Sequence, residues 1–291
     1  MISVGLPKRL EGDQRVNDPK GPSSDGDPGW DRVDPRGDIT IFGIPFWNPS
    51  YSEFDLWWKQ TLASQDRKGK CVVGANAHTL NNVWLNPEFR LAVEHAQVRV
   101  NDGIGFRLAA LMRGSRIRYN FNGTDLIPRL FSELSKPIRV FLYGAAEDVN
   151  AIVEKRLTEE FPMIQVVGRI NGFVDPKSEV VPAIRDSNAD LVLVALGHPR
   201  QELFAMRYGQ ELNVKIVYPV GGLFDFLSGS KPRAPELIRR LSLEWAYRLA
   251  VEPKRMFARY VIGNPAFLAR SFATIISDRR IMKGSSRKVP V

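Results

Sequence analysis

Continuously apolar runs alternate with segments of helical spacing along most of this chain, and that alternation restricts the fold more than any other feature. The clearest run is Ala189-Asp-Leu-Val-Leu-Val-Ala-Leu196, and residues 138–143 form a second. Runs this apolar indicate strands buried on both faces, as in parallel sheets. Segments 148–160 and 201–211 have the spacing of helices. Further strands are predicted at residues 39–44, 71–75, 98–101, 117–121, 164–167 and 214–220. The sequence therefore predicts an α/β fold, a mostly parallel Rossmann-like sheet with helices on both faces.

Composition divides the 291 residues into three parts. Residues 1–38 hold 11 Gly and Pro and few apolar side chains, which predicts a disordered N-terminal tail. Residues 39–230 contain the predicted strands and are expected to form the α/β domain that carries the functional site. The strand pattern stops after Gly222, so residues 231–291 are predicted to form a basic, helical appendage.

Positive charge is concentrated at the C-terminal end of the chain. The net charge is +9, and residues 231–291 contain 14 Lys and Arg against 4 Asp and Glu. Such a block favours an anionic partner: a membrane surface, a nucleic acid or a phosphate-bearing substrate. No apolar run reaches the roughly 18 residues that a transmembrane helix needs. The N-terminal residues also lack the apolar core of a signal peptide.

Cysteine and histidine do not form a metal-binding pattern. Cys71 is the only cysteine, so an intramolecular disulfide and a cysteine metal cluster are excluded. His78, His95 and His198 lie far apart in the sequence and lack zinc spacing. We therefore expect no metal and no cofactor in the folded part.

Several polar residues and glycines directly follow predicted strands. Because the carboxyl ends of parallel strands share one edge of a sheet, these residues are expected to converge on one crevice. They are Asn76, His78, Asp102, Gly103, Gly144, Gln201, Glu202 and Asp225. Each also has a structural explanation, since residues of these types end turns, begin helices or satisfy buried hydrogen bonds. The full dinucleotide-binding glycine pattern is absent around Gly144, which argues against a nicotinamide enzyme.

Asp102 occupies the most informative position, in the stretch Val98-Arg-Val-Asn-Asp-Gly-Ile-Gly105. The β-branched Val98 and Val100 suit a short strand, and the glycines after it permit a tight turn and close approach to a ligand. An aspartate at the carboxyl end of a strand could act as a general base. It could equally cap the following helix or turn. The stretch alone leaves both interpretations open.

Motifs spread over residues 39–260 resemble the WecG/TagA/CpsF glycosyltransferase family. In chain order these motifs are Asn76-Ala-His78, Asn101-Asp-Gly-Ile-Gly105, Gly123-Thr-Asp-Leu126, Phe141-Leu-Tyr-Gly144, Gly197-His-Pro-Arg-Gln-Glu202, Val220-Gly-Gly-Leu-Phe-Asp-Phe-Leu-Ser-Gly229, Arg233-Ala-Pro235, Glu244-Trp-Ala-Tyr-Arg248 and Glu252-Pro-Lys-Arg255. One such motif is a weak signal, but this many in the family's order is a specific one.

The resemblance implies a cytoplasmic enzyme that is peripheral on the inner face of the plasma membrane. Such enzymes move a sugar from a UDP-sugar to a polyprenyl-diphosphate-linked saccharide, inverting the anomeric centre without a metal or cofactor. N-acetylmannosamine, its uronic acid and glucose are the candidate sugars. Assembly into a homo-oligomer is left open.

The resemblance also implies roles for individual residues. Asp102 matches the family's proposed base, Gln201 and Asp225 match residues proposed to hold the nucleotide sugar, and Asn76 matches a polar position beside it. His78, Gly103, Gly144 and Glu202 are expected next to these as substrate-binding residues. We also expect donors, such as arginines and helix N-termini, to stabilise the UDP leaving group.

One position departs from the family pattern. Asn120 stands where the family usually has an arginine, thought to neutralise the developing phosphate charge. Arg118 and the C-terminal arginines are the candidates to replace it.

The C-terminal appendage is expected to bind the acceptor diphosphate and an anionic membrane surface. The basic residues assigned to this role are Arg233, Arg239, Arg240, Arg248, Lys254 and Arg255. Trp245, Tyr247 and Phe257 are interleaved with them, as in an amphipathic segment seated on a membrane. The alternative function is nucleic-acid binding through the same block. We do not expect it, because the chain lacks a known nucleic-acid-binding module.

Overall fold

The structure, a computed structural model, describes residues 38–241 and 243–285. The predicted N-terminal tail lies outside these residues apart from Asp38, and the side chain of Arg240 is likewise not described.

The strands in the described part are β1 (Ile39–Ile41), β2 (Ile44–Phe46), β3 (Lys68–Ala75), β4 (Val98–Asn101), β5 (Ile138–Gly144), β6 (Ile164–Ile170), β7 (Leu191–Ala195) and β8 (Val214–Pro219). In this part of the chain, β3 to β8 form one six-stranded sheet in the order β4-β3-β8-β7-β5-β6. Each of its neighbouring pairs is parallel. The predicted α/β class with a parallel sheet is confirmed.

The α-helices of the same residues are α1 (Tyr51–Ala63), α2 (Ala77–Leu85), α3 (Pro87–His95), α4 (Gly103–Met112), α5 (Gly123–Ser132), α6 (Glu147–Glu160), α7 (Val181–Asp186), α8 (Arg200–Tyr208), α9 (Leu223–Leu227), α10 (Glu236–Arg240), α11 (Glu244–Val251), α12 (Pro253–Phe257) and α13 (Gly263–Ser285). Most of them connect consecutive strands of the sheet, as a parallel arrangement requires.

Two apolar cores cover the two faces of the sheet. All residues of β7 are buried, which explains its unbroken apolar sequence. Strand β3 alternates instead: Cys71 and Val73 belong to one core, and Val72 belongs to the other. On β8, Val217 and Tyr218 divide in the same way. Successive side chains of a strand therefore point to opposite faces, as the pleat dictates.

The predicted strand at residues 39–44 is two strands. The backbone turns at Phe42 and Gly43, whose φ angles are 54° and 79°. Strands β1 and β2 then pair antiparallel as a hairpin, with Ile41 opposite Ile44. The apolar run hid the turn because Phe42, although it lies in the turn, is buried.

The strand predicted at residues 117–121 is absent, because side chains satisfy the backbone of this segment. Asn48 accepts a hydrogen bond from the Arg118 amide (3.0 Å) and donates one to the Arg116 carbonyl (3.0 Å). Asn101 donates to the Tyr119 carbonyl (2.9 Å). Buried amide side chains here take the place of a neighbouring strand.

The last described helix packs on the α/β part of the chain. Phe267 on α13 is fully buried in the same core as Phe42, with ring centroids 5.9 Å apart. Asn81 on α2 donates to the Gly263 carbonyl (2.7 Å), and Arg113 donates to Thr274 Oγ1 (2.7 Å). The predicted domain boundaries stay predictions. Removing α13, however, would take Phe267 away and uncover its core partner Phe42.

Candidate active site

A cleft of about 640 Å³ lies over the carboxyl ends of β4, β3, β8 and β7. Its floor and sides come from the loops that follow these strands, and α11 and α12 contribute residues to its other side. Parallel sheets bind ligands at this edge. The cleft is lined by the predicted catalytic residue Asp102 and by five of the predicted substrate-binding residues: Asn76, His78, Gly103, Gln201 and Asp225.

The hydrogen bonds of the Asp102 side chain bear on its predicted capping role. The residue occupies the N-cap position of α4, but its side chain makes no capping hydrogen bond. Its Oδ2 instead accepts a hydrogen bond of 3.1 Å from Nδ2 of Asn76. The Asp102 side chain therefore does not cap α4, and the residue lines the cleft; its role as a base stays a prediction.

Burial raises the pKa of Asp102 above the ordinary aspartate value. The hydrogen bond from Asn76 and the positive fields of Arg259, His198 and Arg248 act in the opposite direction and only partly offset burial. A carboxylate with a raised pKa is a stronger proton acceptor, which suits a general base.

Asn76 links Asp102 to the helix that follows β3. Its Oδ1 caps α2 by accepting hydrogen bonds from the amides of His78 (3.0 Å) and Thr79 (3.1 Å). Because Oδ1 is committed to the helix, the amide group of Asn76 is fixed with Nδ2 toward Asp102. The residue thus has both its structural explanation and a position in the site.

His78 is neutral at physiological pH. Burial, with the nearby Arg259 and His198, lowers the pKa of His78 to about 3. Its ring lies edge-on to that of His198, with centroids 5.7 Å apart. Nε2 of His78 lies 3.4 Å from Nδ2 of Asn82, so His78 brings a neutral, partly engaged ring to the cleft and no positive charge.

Gln201 joins the loops after β7 and β8. Its Oε1 accepts hydrogen bonds from the amides of Gly197 and Gly221, each 3.1 Å long. Its Nε2 donates to Oε1 of Glu202 (2.8 Å). Gln201 is buried, so it shapes the cleft wall from behind as well as lining it.

Asp225 faces the C-terminal segment. Its Oδ2 lies 2.9 Å from Nζ of Lys231, which in turn lies 3.3 Å from a carboxylate oxygen of Glu252. Glu252 also pairs with Arg255 (3.2 Å). This chain of charges holds the start of α12 against α9, the short helix that carries Asp225.

Gly103 and Asn120 meet at the entrance to α4. The Gly103 amide donates a hydrogen bond of 2.7 Å to Oδ1 of Asn120, and both residues line the cleft. Asn120 therefore stands at the edge of the cleft without a charge. Arg118 does not compensate: it pairs with Glu53 and is not among the residues that line the cleft.

Two predicted binding residues do not line the cleft. A Cβ on Gly144 would lie 2.4 Å from the Ala195 carbonyl oxygen, so the close approach of β7 explains this glycine. Glu202 is buried behind Gln201, with one carboxylate oxygen 2.8 Å from Nδ1 of His198. Contact of Gly144 and Glu202 with substrate stays a prediction. Their positions outside the cleft lining do not favour it.

The predicted basic residues divide into two groups. Arg239, Arg248 and Arg255 line the cleft. Arg233 lies outside its lining and pairs with Asp125 at 2.8 Å, and Lys254 is exposed. Arg239 also reaches Asp125 (3.2 Å), so part of its charge is already compensated.

Arg259 is a cleft residue that sequence reasoning missed. Burial, together with the nearby Arg248, lowers the pKa of its guanidinium, and Tyr260 and Asp102 raise it. Its Nε is buried and makes no hydrogen bond within the described residues. Arg248 lies on α11, Arg255 on α12 and Arg259 just after α12, and all three line the cleft. Their approach depends on how these short segments pack, which the sequence did not show.

Glu244 is a second cleft acid that sequence reasoning did not assign. Burial raises its pKa, Arg233 lowers it, and Asp125 raises it again. Unlike Asp102, it makes no hydrogen bond in the described residues that would fix its carboxylate. Orientation therefore distinguishes the two acids.

The described residues contain neither a metal-ligand cluster nor a membrane-spanning helix. No group of three or more His, Cys, Asp or Glu there could hold a metal ion. No helix in residues 38–241 or 243–285 is long and apolar enough to cross a membrane.

Large apolar side chains are exposed on the C-terminal helices. They include Leu237, Leu241, Phe257, Ile262 and Phe272. They lie in the same segment as the basic residues, and the predicted seating on a membrane stays a prediction.

Comparison with known proteins identifies the family. The chain matches the model of the glycosyl transferase WecG/TagA/CpsF family over residues 39–281. The chain belongs to this family. It is therefore a glycosyltransferase, as the sequence motifs predicted, and the nucleic-acid alternative is not supported.

Three similar proteins from different bacteria share one name. The N-acetylglucosaminyldiphosphoundecaprenol N-acetyl-beta-D-mannosaminyltransferase of Bacillus spizizenii is 34% identical over 210 residues, 72% of this chain and 81% of the relative. The enzyme of Bacillus subtilis strain 168 is 31% identical, covering 74% and 84%. That of Staphylococcus aureus strain MRSA252 is 26% identical, covering 75% and 86%.

Proposed function

We propose that this glycosyltransferase moves a sugar from a UDP-sugar to a saccharide carried on a polyprenyl diphosphate, with inversion at the anomeric carbon. The relatives' names support N-acetylmannosamine as the sugar and an N-acetylglucosaminyl diphosphate lipid as the acceptor. The observation that carries the proposal is the Asp102 carboxylate, oriented by Asn76 in a cleft that arginines also line.

The chemistry follows from one carboxylate and a displaced diphosphate. Asp102 accepts the proton of the attacking acceptor hydroxyl as its oxygen forms the new bond to the anomeric carbon. The bond from that carbon to the UDP oxygen breaks, and UDP leaves with the electron pair. A single displacement of this kind inverts the anomeric configuration and needs one base, not the paired carboxylates of a double displacement.

The charge that develops on UDP requires nearby donors. Asn120 is neutral, and Arg118 is engaged with Glu53. Arg248, Arg255 and Arg259 line the cleft, and the fields of Arg248 and Arg259 reach Asp102. These arginines are the groups best placed to stabilise the diphosphate, and UDP binding by Gln201 and Asp225 belongs to the same proposal.

The C-terminal helices would seat the enzyme on the cytoplasmic membrane surface, where a lipid-linked acceptor lies. Exposed apolar side chains would enter the interface, and Lys254 and its basic neighbours would attract anionic lipid at about 1 kcal/mol each. Because α11 and α12 also line the cleft, the acceptor diphosphate would enter beside the membrane-facing helices.

The test uses the full chain with anionic vesicles that contain an N-acetylglucosaminyl-diphospho-prenol. UDP-N-acetylmannosamine, UDP-N-acetylmannosaminuronic acid and UDP-glucose are supplied separately, with and without EDTA. Mass spectrometry should detect one disaccharide lipid, NMR should show inversion, and EDTA should leave the rate unchanged. Failure of all three donors would refute the proposed transfer. Retention of configuration would refute the mechanism.

A further inference from the structure

Gly74 is a glycine that neither backbone strain nor packing explains. It lies inside β3, where glycine weakens a strand, and its φ is not in the left-handed region. A Cβ there would meet one heavy atom within 4 Å in the described residues, the Cβ of Asp102 at an ordinary 3.7 Å. By contrast, a Cβ on Gly168 would clash with Phe141 at 2.5 Å. Gly74 lines the cleft, so the space above it is open to a ligand.

Tyr218 stands on the neighbouring strand and on the same face of the sheet. Cys71 pairs with Val217 across β3 and β8, and both belong to one core. Gly74 comes three residues after Cys71, and Tyr218 comes one residue after Val217. Because side chains alternate along a strand, both positions face the side of the sheet opposite to Cys71 and Val217. Tyr218 is 2% exposed, yet it lines the cleft, and its hydroxyl makes no hydrogen bond to the described residues.

The phenol of Tyr218 is a hydrogen-bond donor rather than an acid. Burial and the nearby charge of Asp102 both raise its pKa. It therefore keeps its proton at neutral pH. The hydroxyl has no partner in the described residues and belongs to a side chain that lines the cleft, so it is suited to a ligand that supplies an acceptor.

We infer that Asp102, Gly74 and Tyr218 form a subsite for the acceptor sugar, in which the Tyr218 hydroxyl donates to an oxygen on a ring carbon next to the attacking hydroxyl. This inference rests on the proposed function. The attacking hydroxyl must lie against Asp102 for its proton to be taken. A neighbouring ring substituent then falls beside that carboxylate, where Gly74 leaves room and Tyr218 supplies a donor. The two residues are thus specificity determinants of the acceptor.

Tyr218→Phe tests the donor, with Tyr143→Phe as the matched control. Tyr143 is buried on β5, does not line the cleft, and also has a hydroxyl without a partner. Both variants should melt no lower than the wild type, because neither loses a hydrogen bond within the protein. Only Tyr218→Phe should reduce kcat/KM for the lipid-linked acceptor, by about tenfold. Its affinity for UDP, measured by calorimetry, should not change.

Acceptor analogues that lack one ring hydroxyl each make the test specific. The wild type should use one of them about tenfold less efficiently than the intact acceptor, the loss of one hydrogen bond. Tyr218→Phe should use that analogue and the intact acceptor equally well. A Tyr218→Phe enzyme that discriminates as strongly as the wild type would overturn the inference.

Gly74→Ala and Gly74→Val test the space. Both should raise KM for the acceptor, the larger side chain more, whereas the melting temperature of Gly74→Ala should hold or rise. Gly209→Ala is the control, since its Cβ would also make only an ordinary contact (3.5 Å) and lies outside the cleft lining. An unchanged acceptor KM in Gly74→Val would remove Gly74 from the subsite.

These outcomes separate the subsite from the function. A wild-type chain that transfers no sugar from any UDP donor refutes the proposed function, and the inference with it. A wild-type chain that transfers, while the Tyr218 and Gly74 variants match their controls, refutes the inference alone.

Discussion

The side-chain amide of Asn76 lies between the start of α2 and the carboxylate of Asp102. Its oxygen accepts from the His78 amide at 3.0 Å, and its nitrogen donates to Oδ2 of Asp102 at 3.1 Å. The orientation of the proposed base is therefore fixed by Asn76, the residue that follows β3 and caps α2. Positioning of this kind removes the entropic cost of orienting the base for each turnover.

Asp102→Asn should remove most of the activity while the fold is kept. A positioned base typically contributes about 10²–10⁴ in rate, so transfer should fall by a factor in that range. Glu244→Gln is the comparison, because Glu244 is the other cleft acid with a raised pKa. Steady-state transfer assays on both variants identify the base. A larger loss in Glu244→Gln than in Asp102→Asn would assign the role to Glu244.

Asn76→Ser should move the acid limb of the pH profile. Burial holds the pKa of Asp102 above its ordinary value, and the rate should fall as the pH drops through that raised pKa and the base is protonated. Serine keeps a helix cap but removes the Nδ2 donor that favours the charged form. The acid limb of kcat/KM should therefore shift to higher pH. A shift to lower pH, or none, would show that Asn76 does not tune the base.

Arg259→Gln should reduce transfer without loss of stability. Its buried guanidinium has a lowered pKa and an unpartnered Nε, so its charge is costly to the folded protein. Loss of one preorganised donor at a developing charge costs about 10²-fold in kcat, whereas the melting temperature should hold or rise. Arg107→Gln, an exposed site on α4 outside the cleft lining, is the control. Equal rates for the two variants would exclude Arg259 from leaving-group stabilisation.

Gln201→Ala should affect both stability and nucleotide binding. The change leaves the amides of Gly197 and Gly221 without their acceptor, at a cost of about 1–3 kcal/mol for an unsatisfied buried group. The melting temperature should fall, and UDP affinity should fall because both loops border the cleft. Calorimetry with UDP and thermal denaturation measure the two effects. A stable variant with unchanged UDP affinity would contradict both roles.

Phe257→Ser and Ile262→Ser should weaken binding to anionic vesicles. Phe257 is 53% and Ile262 is 59% exposed, and insertion of apolar side chains adds membrane affinity that salt does not screen. Leu56→Ser, at a site 57% exposed on α1, is the control. Sedimentation with vesicles at moderate salt gives the measurement. If the Leu56 variant loses as much binding as the other two, the C-terminal helices do not form the membrane-facing surface.

Charge reversal tests the electrostatic part of the same surface. Lys254→Glu changes an exposed residue of α12 that has no ion pair in the described residues, whereas Arg239 and Arg255 pair with Asp125 and Glu252. Lys254→Glu should therefore reduce vesicle binding at low salt, with an unchanged circular dichroism spectrum. If vesicle binding changes neither with Lys254→Glu nor with the salt concentration, the basic residues do not contribute to membrane binding.

The alternation of apolar runs and helical segments determined the fold class, because buried parallel strands must be apolar along their whole length. The same logic placed Asn76, Asp102 and Gln201 at one edge of the sheet. The turn at Phe42 and the irregular segment at residues 117–121 escaped prediction. At Phe42 the turn residue is buried, as a strand residue would be. Residues 117–121 bond to Asn48 and Asn101, which lie far away in the sequence. A local sequence pattern shows neither burial nor a distant partner.

Only the tertiary structure decided which polar residues act together. The sequence could not show that the Asp102 side chain leaves α4 uncapped, because its partner Asn76 follows the neighbouring strand, 26 residues away. The sequence also predicted substrate contact for Gly144 and Glu202 as it did for Gly103. The close approach of β7 explains Gly144, and Glu202 is buried behind the cleft wall. Arg259 and Tyr218 became candidates only because the fold places both in the cleft near Asp102. Such contacts depend on how strands and helices pack together, which residue type and spacing along one element do not specify.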